Sequence, residues 1–263
     1  MKTRTTYVVG GVRIPFMKSM TAYRDVTTPE LMTASLKSLV ERYNLKGKVV
    51  GDVALGALMQ SSANWNFARE VVQASGLHPN TPAYNVQRAC GTSLETTIQI
   101  AHNISSYQIE SGIAGGVDSN SDLPIMVTRS FSQKLVALNS ARTLGEKLRI
   151  FLSFRPSDLK PVPPAVVEPR TGKSMGEHCE LMVKEWKISR QEQDELALAS
   201  HLNAAKAYKD GFYADLVFPF LGKSTDGIMR GDTTLEKLAK LKPAFDRSEK
   251  GTLTAGNSSS LTD

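Results

Sequence analysis

The sequence predicts an α/β protein, with a layered α/β/α core and an inserted, mainly helical domain. Three observations predict it. Short apolar runs alternate with amphipathic helical stretches through the first part of the chain. A lone cysteine, Cys90, stands where one of those runs ends and a helix begins. Beyond Ser130 the alternation gives way to helices separated by a proline-rich connector.

In chain order, Thr6-Tyr7-Val8-Val9 reads as a short β-rich run. Thr28-Pro29-Glu30 supplies a cap, a proline at the first helical position and an early acid. The helix that follows carries Met32, Leu36, Leu39, Val40 and Tyr43 on one face. Val53 to Leu58 reads as a buried strand, Phe67 to Ser75 as a helix, and Pro82 to Val86 as the strand leading to Cys90. Leu94, Ile98, Ala101 and Ile104 then recur at helical spacing, and Ile113 to Asp118 forms another central strand.

Pro156, Pro161, Pro163, Pro164 and Pro169 rule out a helix through the connector. Ser189-Arg190-Gln191-Glu192 is a capping box for a helix carrying Leu196, Ala199, Asn203 and Ala207, which stops at Gly211. Strand character returns at Gly251 to Gly256. The expected division is therefore a core of residues 1–129 and 249–263 around an insert of residues 130–248.

The 263 residues, 41% hydrophobic and 22% charged, have the composition of a soluble globular protein. Two cysteines are too few for a disulfide framework and have no metal-ligand spacing, so a reducing, cytoplasmic setting is expected and no metal. Neither a leader pattern nor a run long enough to span a membrane is evident. The net charge of +6 calls for an anionic partner. Zinc-finger spacing, a basic zipper and a glycine-aromatic RNA-binding signature are all missing, so no nucleic acid is expected.

Cys90 sits in Asn85-Val86-Gln87-Arg88-Ala89-Cys90-Gly91-Thr92-Ser93-Leu94-Glu95. Gly91 lets the backbone turn sharply and Glu95 lies in the first helical turn, so the thiol belongs at a helix N-terminus. Free amides and the positive end of the helix dipole there favour the thiolate, the form that attacks carbon. An unpaired cysteine also packs readily as a small hydrophobe, so spacing alone leaves both readings open. Cys179, on one apolar face with Met182, Val183 and Trp186, reads as packing.

The flanking residues decide for Cys90. Gln87 to Ser93 resembles the nucleophile segment of the thiolases, in which a strand delivers a cysteine to the start of a buried helix. Further likeness follows in the family's order at Gly115 to Ser119, Lys173 to Glu177, Lys240 to Phe245 and Gly251 to Ser259. Ser121 to Ile125, Leu138 to Arg142 and Asn257 to Asp263 are closest to the 3-ketoacyl-CoA thiolases of the trifunctional-enzyme β-subunit type.

The resemblance implies an acyltransferase that cleaves 3-ketoacyl-CoA in fatty-acid β-oxidation through an acyl-Cys90 intermediate. Coenzyme A is a substrate and no prosthetic group is implied. Along the coenzyme channel the resemblance places Met175, Arg230, Phe245, Ala255 and Ser259. Arg230 would neutralise phosphate, or is a solvated loop charge beside Gly231 and Asp232. Phe245 covers the adenine or pantetheine, or is core; Ser259 bonds a pantetheine amide, or belongs to a polar turn.

None of His78, His102, His178 and His201 has the family's Gly-His-Pro setting, and His102 reads as structural. The resemblance therefore implies an N-terminal portion, without the C-terminal thiolase domain that supplies the activating histidine and the second catalytic cysteine, and with little activity of its own. It also implies a homodimer or tetramer and allows a hydratase-dehydrogenase subunit. Two alternatives remain, a biosynthetic acetyl-CoA acetyltransferase and a non-catalytic acyl-CoA or lipid-binding module. Leu144, Leu148, Phe151 and Leu152 interleave with Arg142, Lys147, Arg149 and Arg155. That pattern fits membrane docking, but a packed helix with a basic outer face is the expectation.

Overall fold

Thr27 opens the first helix. In the computed structural model, which describes residues 3–263, its hydroxyl accepts from the Glu30 amide at 3.4 Å. Glu30 Oε2 accepts from the Thr27 amide at 2.8 Å, closing a capping box one residue before the expected cap. The helix, α1 (Thr28–Arg42), buries Leu31, Met32, Leu36 and Val40. There follow β1 (Asp52–Gly56), α2 (Phe67–Ser75), β2 (Ala83–Val86), α3 (Thr92–Ser105) and β3 (Gly112–Gly116).

The strands form a parallel sheet in the order β2-β1-β3, with Val53 opposite both Ala83 and Ile113. Successive side chains point to opposite faces, so one strand serves two cores. Val53 and Leu55 pack with Met32, Leu36 and Val40 of α1 and Phe67, Val71 and Val72 of α2. Ala54 faces the other way, with Val86 and with Ile100 of α3. This is the expected α/β/α layering, and each fully buried Val or Leu contributes about 1.5–3 kcal/mol to it.

Two expectations are corrected here. Helix α3 turns Thr92, Thr96 and Ile100 inward, while Leu94 is 65% and Ile98 39% exposed. The sheet beneath it is lined by glycines, and a Cβ on Gly112 would come 2.7 Å from Ile100 Cγ2. At so close an approach small and β-branched side chains fit, and the Thr96 hydroxyl donates to Ser93 O at 2.8 Å. Thr6 to Val9 is not a strand. Arg4 N–H donates to Ser105 O and Thr6 Oγ1 to Ala101 O at 3.1 Å each, which holds this segment to α3. No strand partner covers Tyr7, Val8 or Val9 among the described residues.

The chain divides into two compact units. One joins the residues up to Asp122 with Lys173–Asp263, and the other is Leu123–Gly172. Residues 173–248 are thus grouped with the sheet, unlike the single insert read from 130 to 248.

The smaller unit contains β4 (Met126–Val127), α4 (Arg129–Ser140), α5 (Leu144–Leu152) and β5 (Pro161–Val162), with β4 antiparallel to β5. One 3-10 turn, Pro156–Leu159, interrupts the connector in which no helix was expected; Pro156 occupies its first turn, where a missing N–H costs nothing. The expected packing of α5 is also corrected. Leu144, Leu148, Phe151 and Leu152 are 83%, 57%, 65% and 74% exposed, and no residue of α4 or α5 is buried.

A charged residue organises this unit instead. Asp158, 4% exposed, accepts from Lys134 Nζ at 2.6 Å and from the Arg155 amide at 2.8 Å. These bonds, the lysine's foremost, hold its carboxyl down at about 2 against an ordinary 3.8. A depressed carboxyl stabilises the fold above its ordinary value and loses that contribution as pH falls through the depressed one. Hydrogen exchange, corrected for intrinsic rate, should show protection of residues 128–158 falling between pH 3.8 and about 2. Asp158→Asn should give low protection with no such step; the same step in that variant would refute the assignment.

The remaining helices are α6 (Met175–Glu185), α7 (Arg190–Lys209) and α8 (Leu235–Ala239). The Ser189–Glu192 box caps α7 as expected, and Gly211 follows its end at φ +75°. The inward face of α7 is different from the expected one. Asp194 is buried and Leu196 is 73% exposed, because Asp194 accepts from Arg190 Nε at 2.8 Å and Asn257 Nδ2 at 2.9 Å.

Residues 251–256 form no strand. A single antiparallel bridge pairs Pro243 with Thr254, and Ala244 N–H donates to Leu253 O at 2.8 Å. The segment is held by Glu180 of α6, 2% exposed, which accepts from Thr252 N, Thr252 Oγ1 and Leu253 N at 2.9 Å each. Such charge-assisted bonds satisfy a carboxylate that burial would otherwise penalise.

Candidate active site

Strand β2 ends at Val86, and the chain reverses into α3 within five residues. The turn is built around Ala89, whose φ of +46° lies in the left-handed region. Gly91 has φ −89° and ψ 8°, so the glycine expected to permit the turn does not supply its unusual dihedral. Holding alanine there costs about 1–3 kcal/mol, and strain of this kind persists only where neighbours enforce it. Thr92, 4% exposed, is the enforcing residue. Its hydroxyl donates to Ala89 O at 2.7 Å and accepts from the Arg88 amide at 2.8 Å, while Gly91 N–H donates to Arg88 O at 3.0 Å.

This clasp leaves Cys90 exposed at the N-terminus of α3. No side chain caps the helix, and the Ser93 and Leu94 amides have no acceptor among the described residues. Open first-turn amides and the positive helix end stabilise a nearby anion. Arg88 is engaged with Glu95 at 2.5 Å, and Gln99 and Arg88 hold the Glu95 carboxyl below its usual range. No side chain among the described residues hydrogen-bonds to the Cys90 thiol.

The carboxyl ends of all three strands meet here. Gln60 Nε2 donates to Val86 O at 3.2 Å and Gln87 Nε2 to Leu58 O at 2.7 Å, tying the loops after β1 and β2 together. Beyond β3, Asp118 Oδ1 accepts from Leu58 N at 2.8 Å and Met59 N at 3.3 Å. Partial desolvation raises the Asp118 carboxyl, and these two amides oppose the rise. A Cβ on Gly116 would sit 2.9 Å from Ser93 Cβ, so the end of β3 lies directly against the first turn of α3. In the order β2-β1-β3 the chain crosses over β1, and open parallel sheets bind ligands at the carboxyl side of such a switch point.

The other predicted residues lie in the same unit. Met175 begins α6 behind its Ser174 cap and is 76% exposed. The Phe245 ring, 36% exposed, lies on the backbone of Gly176, where a Cβ would overlap it. Ala255 is exposed and follows the single bridge between Pro243 and Thr254, an antiparallel register in which residue 252, not 255, comes opposite Phe245. Phe245 is thereby brought against the start of α6, next to Met175, while Ala255 lies further along the bridged segment.

Arg230 is exposed in a loop resting on α7; its amide donates to His201 Nδ1 at 3.3 Å. Ser259 is exposed beyond the turn in which Asn257 Oδ1 accepts from Thr254 N at 2.7 Å. No hydrogen bond, ion pair or ring contact among the described residues joins Cys90 to this group. Cys179 is half-buried beside the buried Val183, while Met182 and Trp186 of its expected face are 40% and 64% exposed. Of the histidines, His78 Nδ1 accepts from Asn80 N at 3.1 Å and His102 is exposed on α3.

Sequence reasoning missed Thr92, Glu180 and Asp194, which position the site segments. Thr92 follows the Cys90-Gly91 pair and carried a signal as the first helical residue. Glu180 and Asp194 carried none for this role, since the residues of the 252–257 segment that they hold lie more than 60 residues away. A pocket of about 460 Å³ lies within the smaller unit, between Thr128, Lys134, Ser153, Arg155 and Asp158, and includes none of the predicted site residues. Among the described residues no helix is long and apolar enough to cross a membrane, and no cluster of His, Cys, Asp or Glu could hold a metal ion.

A parallel sheet that delivers an exposed cysteine to an uncapped helix places the chain among α/β proteins built to present a thiol. Residues 6–263 match the thiolase N-terminal domain, and the chain belongs to the thiolase family. It is 42% identical over 265 residues to a 3-ketoacyl-CoA thiolase of Citrobacter koseri and 42% over 262 residues to one of Photobacterium profundum. Each match covers 97% of this chain and 60% of the relative. The crystal structure of the Bacillus anthracis acetyl-CoA acetyltransferase superposes with a TM-score of 0.81 at 29% identity, covering 100% of this chain and 64% of that one. The chain thus spans about 60% of the length of the curated relatives it matches.

Proposed function

We propose that Cys90 is the acyl-accepting nucleophile of a thiolase that degrades 3-ketoacyl-CoA in fatty-acid β-oxidation. The observation that carries this reading is the exposed thiol at the uncapped start of α3, behind the strained Ala89. In the first step the Cys90 sulfur bonds to the keto carbon, and its electrons pass to the oxygen. Collapse of that oxyanion breaks the bond between the second and third carbons; the departing carbanion takes a proton and leaves as acetyl-CoA. Coenzyme A thiol then attacks the Cys90 thioester, releasing the shortened acyl-CoA and returning the proton to Cys90. Open amides at the helix start are suited to the charge that develops in both steps.

We assign coenzyme A, as substrate, to the surface carrying Met175, Phe245 and Ala255, with Arg230 toward phosphate and Ser259 toward the pantetheine. The reading gives the protein a cytoplasmic setting and a homo-oligomeric state, with room for a hydratase-dehydrogenase partner. It assigns activation of the thiol to a base that these residues do not place beside Cys90. The higher identity to 3-ketoacyl-CoA thiolases than to the acetyltransferase favours the degradative direction. Iodoacetamide labelling tests the nucleophile: at neutral pH Cys90 should be modified well before Cys179, and coenzyme A should slow it. Equal rates at the two cysteines, unaffected by coenzyme A, would return Cys90 to the role of an ordinary surface thiol.

A further inference from the structure

We propose that Asp118 is a positioning residue for Cys90: through one peptide group and the Gln87 amide, its carboxylate holds the turn that presents the thiol. The inference rests on the reading of Cys90 as the nucleophile. Asp118 lies two residues past the end of β3 and Cys90 four past the end of β2, with β1 between the two strands. The link between them therefore runs through the loop that follows β1.

That link is continuous. The pairing of β1 with β3 runs on to Val117, whose N–H donates to Gly56 O at 3.0 Å. Beyond it the amides of Leu58 and Met59 both donate to Asp118 Oδ1, at 2.8 and 3.3 Å. The Met59 N–H and the Leu58 carbonyl belong to one peptide group, and that carbonyl accepts from Gln87 Nε2 at 2.7 Å. Hydrogen bonds at the two ends of a single peptide group polarise it and reinforce each other. Gln87 in turn precedes Arg88, whose amide donates to Thr92 Oγ1 at 2.8 Å in the clasp around Ala89.

Geometry, not charge, is what Asp118 supplies. It forms no ion pair among the described residues, and its Oδ2 accepts no hydrogen bond among them. One acceptor oxygen at a fixed place is sufficient, and asparagine carries such an oxygen as well. The left-handed dihedral of Ala89 persists only while its neighbours enforce it. Releasing Leu58 and Gln87 lets the turn relax, which draws the thiol away from the open amides of α3.

The test is the rate of Cys90 labelling by iodoacetamide in the 263-residue chain at neutral pH, with Cys179 as internal reference. Asp118→Ala should lower the Cys90 rate roughly threefold to tenfold, the range that one hydrogen bond supplies, and leave the Cys179 rate unchanged. Asp118→Asn should stay within about twofold of the unaltered chain. Gln87→Ala should match Asp118→Ala, and the double variant should lose no more than either alone, because the two act in series. An undiminished Cys90 rate in Asp118→Ala overturns the proposal, as does an asparagine variant as slow as the alanine one or losses that add in the double variant. If Asp118→Ala lacks the native circular dichroism spectrum, Gln87→Ala, a change of an exposed side chain, decides alone: the same loss supports the link and an unchanged rate overturns it. Equal labelling of Cys90 and Cys179 in the unaltered chain would instead remove the nucleophile reading itself, whereas a fast Cys90 that ignores Asp118 removes only this inference.

Discussion

Thiolysis of acetoacetyl-CoA by these 263 residues is expected to be at least about 10³-fold slower than by a full-length relative such as the Citrobacter koseri thiolase. The reasoning follows from what surrounds Cys90. Exposure and open amides favour attack, yet no side chain among the described residues bonds to the thiol to take its proton. Members of a catalytic unit act together, and losing one removes most of the rate while binding and oxyanion contacts persist. The chain should therefore be labelled at Cys90 but turn over negligibly. Initial rates in a coupled assay of ketoacyl-CoA consumption decide the matter, and a rate near that of the full-length relative would overturn it.

Gly56→Ala should destabilise the core unit by about 3 kcal/mol, among the larger effects of adding one methyl group. Gly56 closes β1 where β2 and α3 converge, and a Cβ there would overlap both the Val86 carbonyl oxygen and the Thr92 methyl. Relief requires moving β2 from its partner or lifting the first turn of α3, and either displaces the turn that carries Cys90. The urea midpoint should fall by roughly 1 M or more. Gly91→Ala is the matched comparison, because a Cβ there meets only Arg88 O, at 3.5 Å, with φ already negative. Its cost should stay within about 1 kcal/mol, that of an ordinary N-cap change. Equal costs for the two variants would show that close packing at Gly56 is not what fixes this junction.

The strand-turn-helix around Cys90 was legible because each of its parts is local. An apolar run, a small residue and a helical period lie within about twenty residues and need no distant partner to be recognised. The same holds for the Ser189–Glu192 box, whose donors and acceptors are three residues apart. Faces were less legible than elements. Periodicity put Leu94 and Ile98 inward on α3, but glycines on the sheet bring the helix so near that Thr92 and Thr96 occupy that side. On α7 the carboxylate of Asp194 is inside and Leu196 outside, a choice made by Asn257 and Arg190.

The site divides in the same way. Cys90 and its helix could be read from sequence, but the strain at Ala89 could not, since alanine gives no sign of a left-handed dihedral. Of the coenzyme candidates, the structure brings Phe245 against Gly176, next to Met175. It leaves Arg230 on one loop and Ala255 and Ser259 on another.

The sequence by itself determined the order of the helices and main sheet strands, the α/β class and the placing of one cysteine at a strand-to-helix turn. These follow from hydrogen bonding and side-chain period between near neighbours. Only the tertiary structure decided which face of each helix is buried, that Ala89 bears the strain of the turn, and that α5 keeps its apolar arc in solvent. Burial depends on surfaces brought together from distant parts of the chain, and no local pattern of apolar residues states which of them will find a partner.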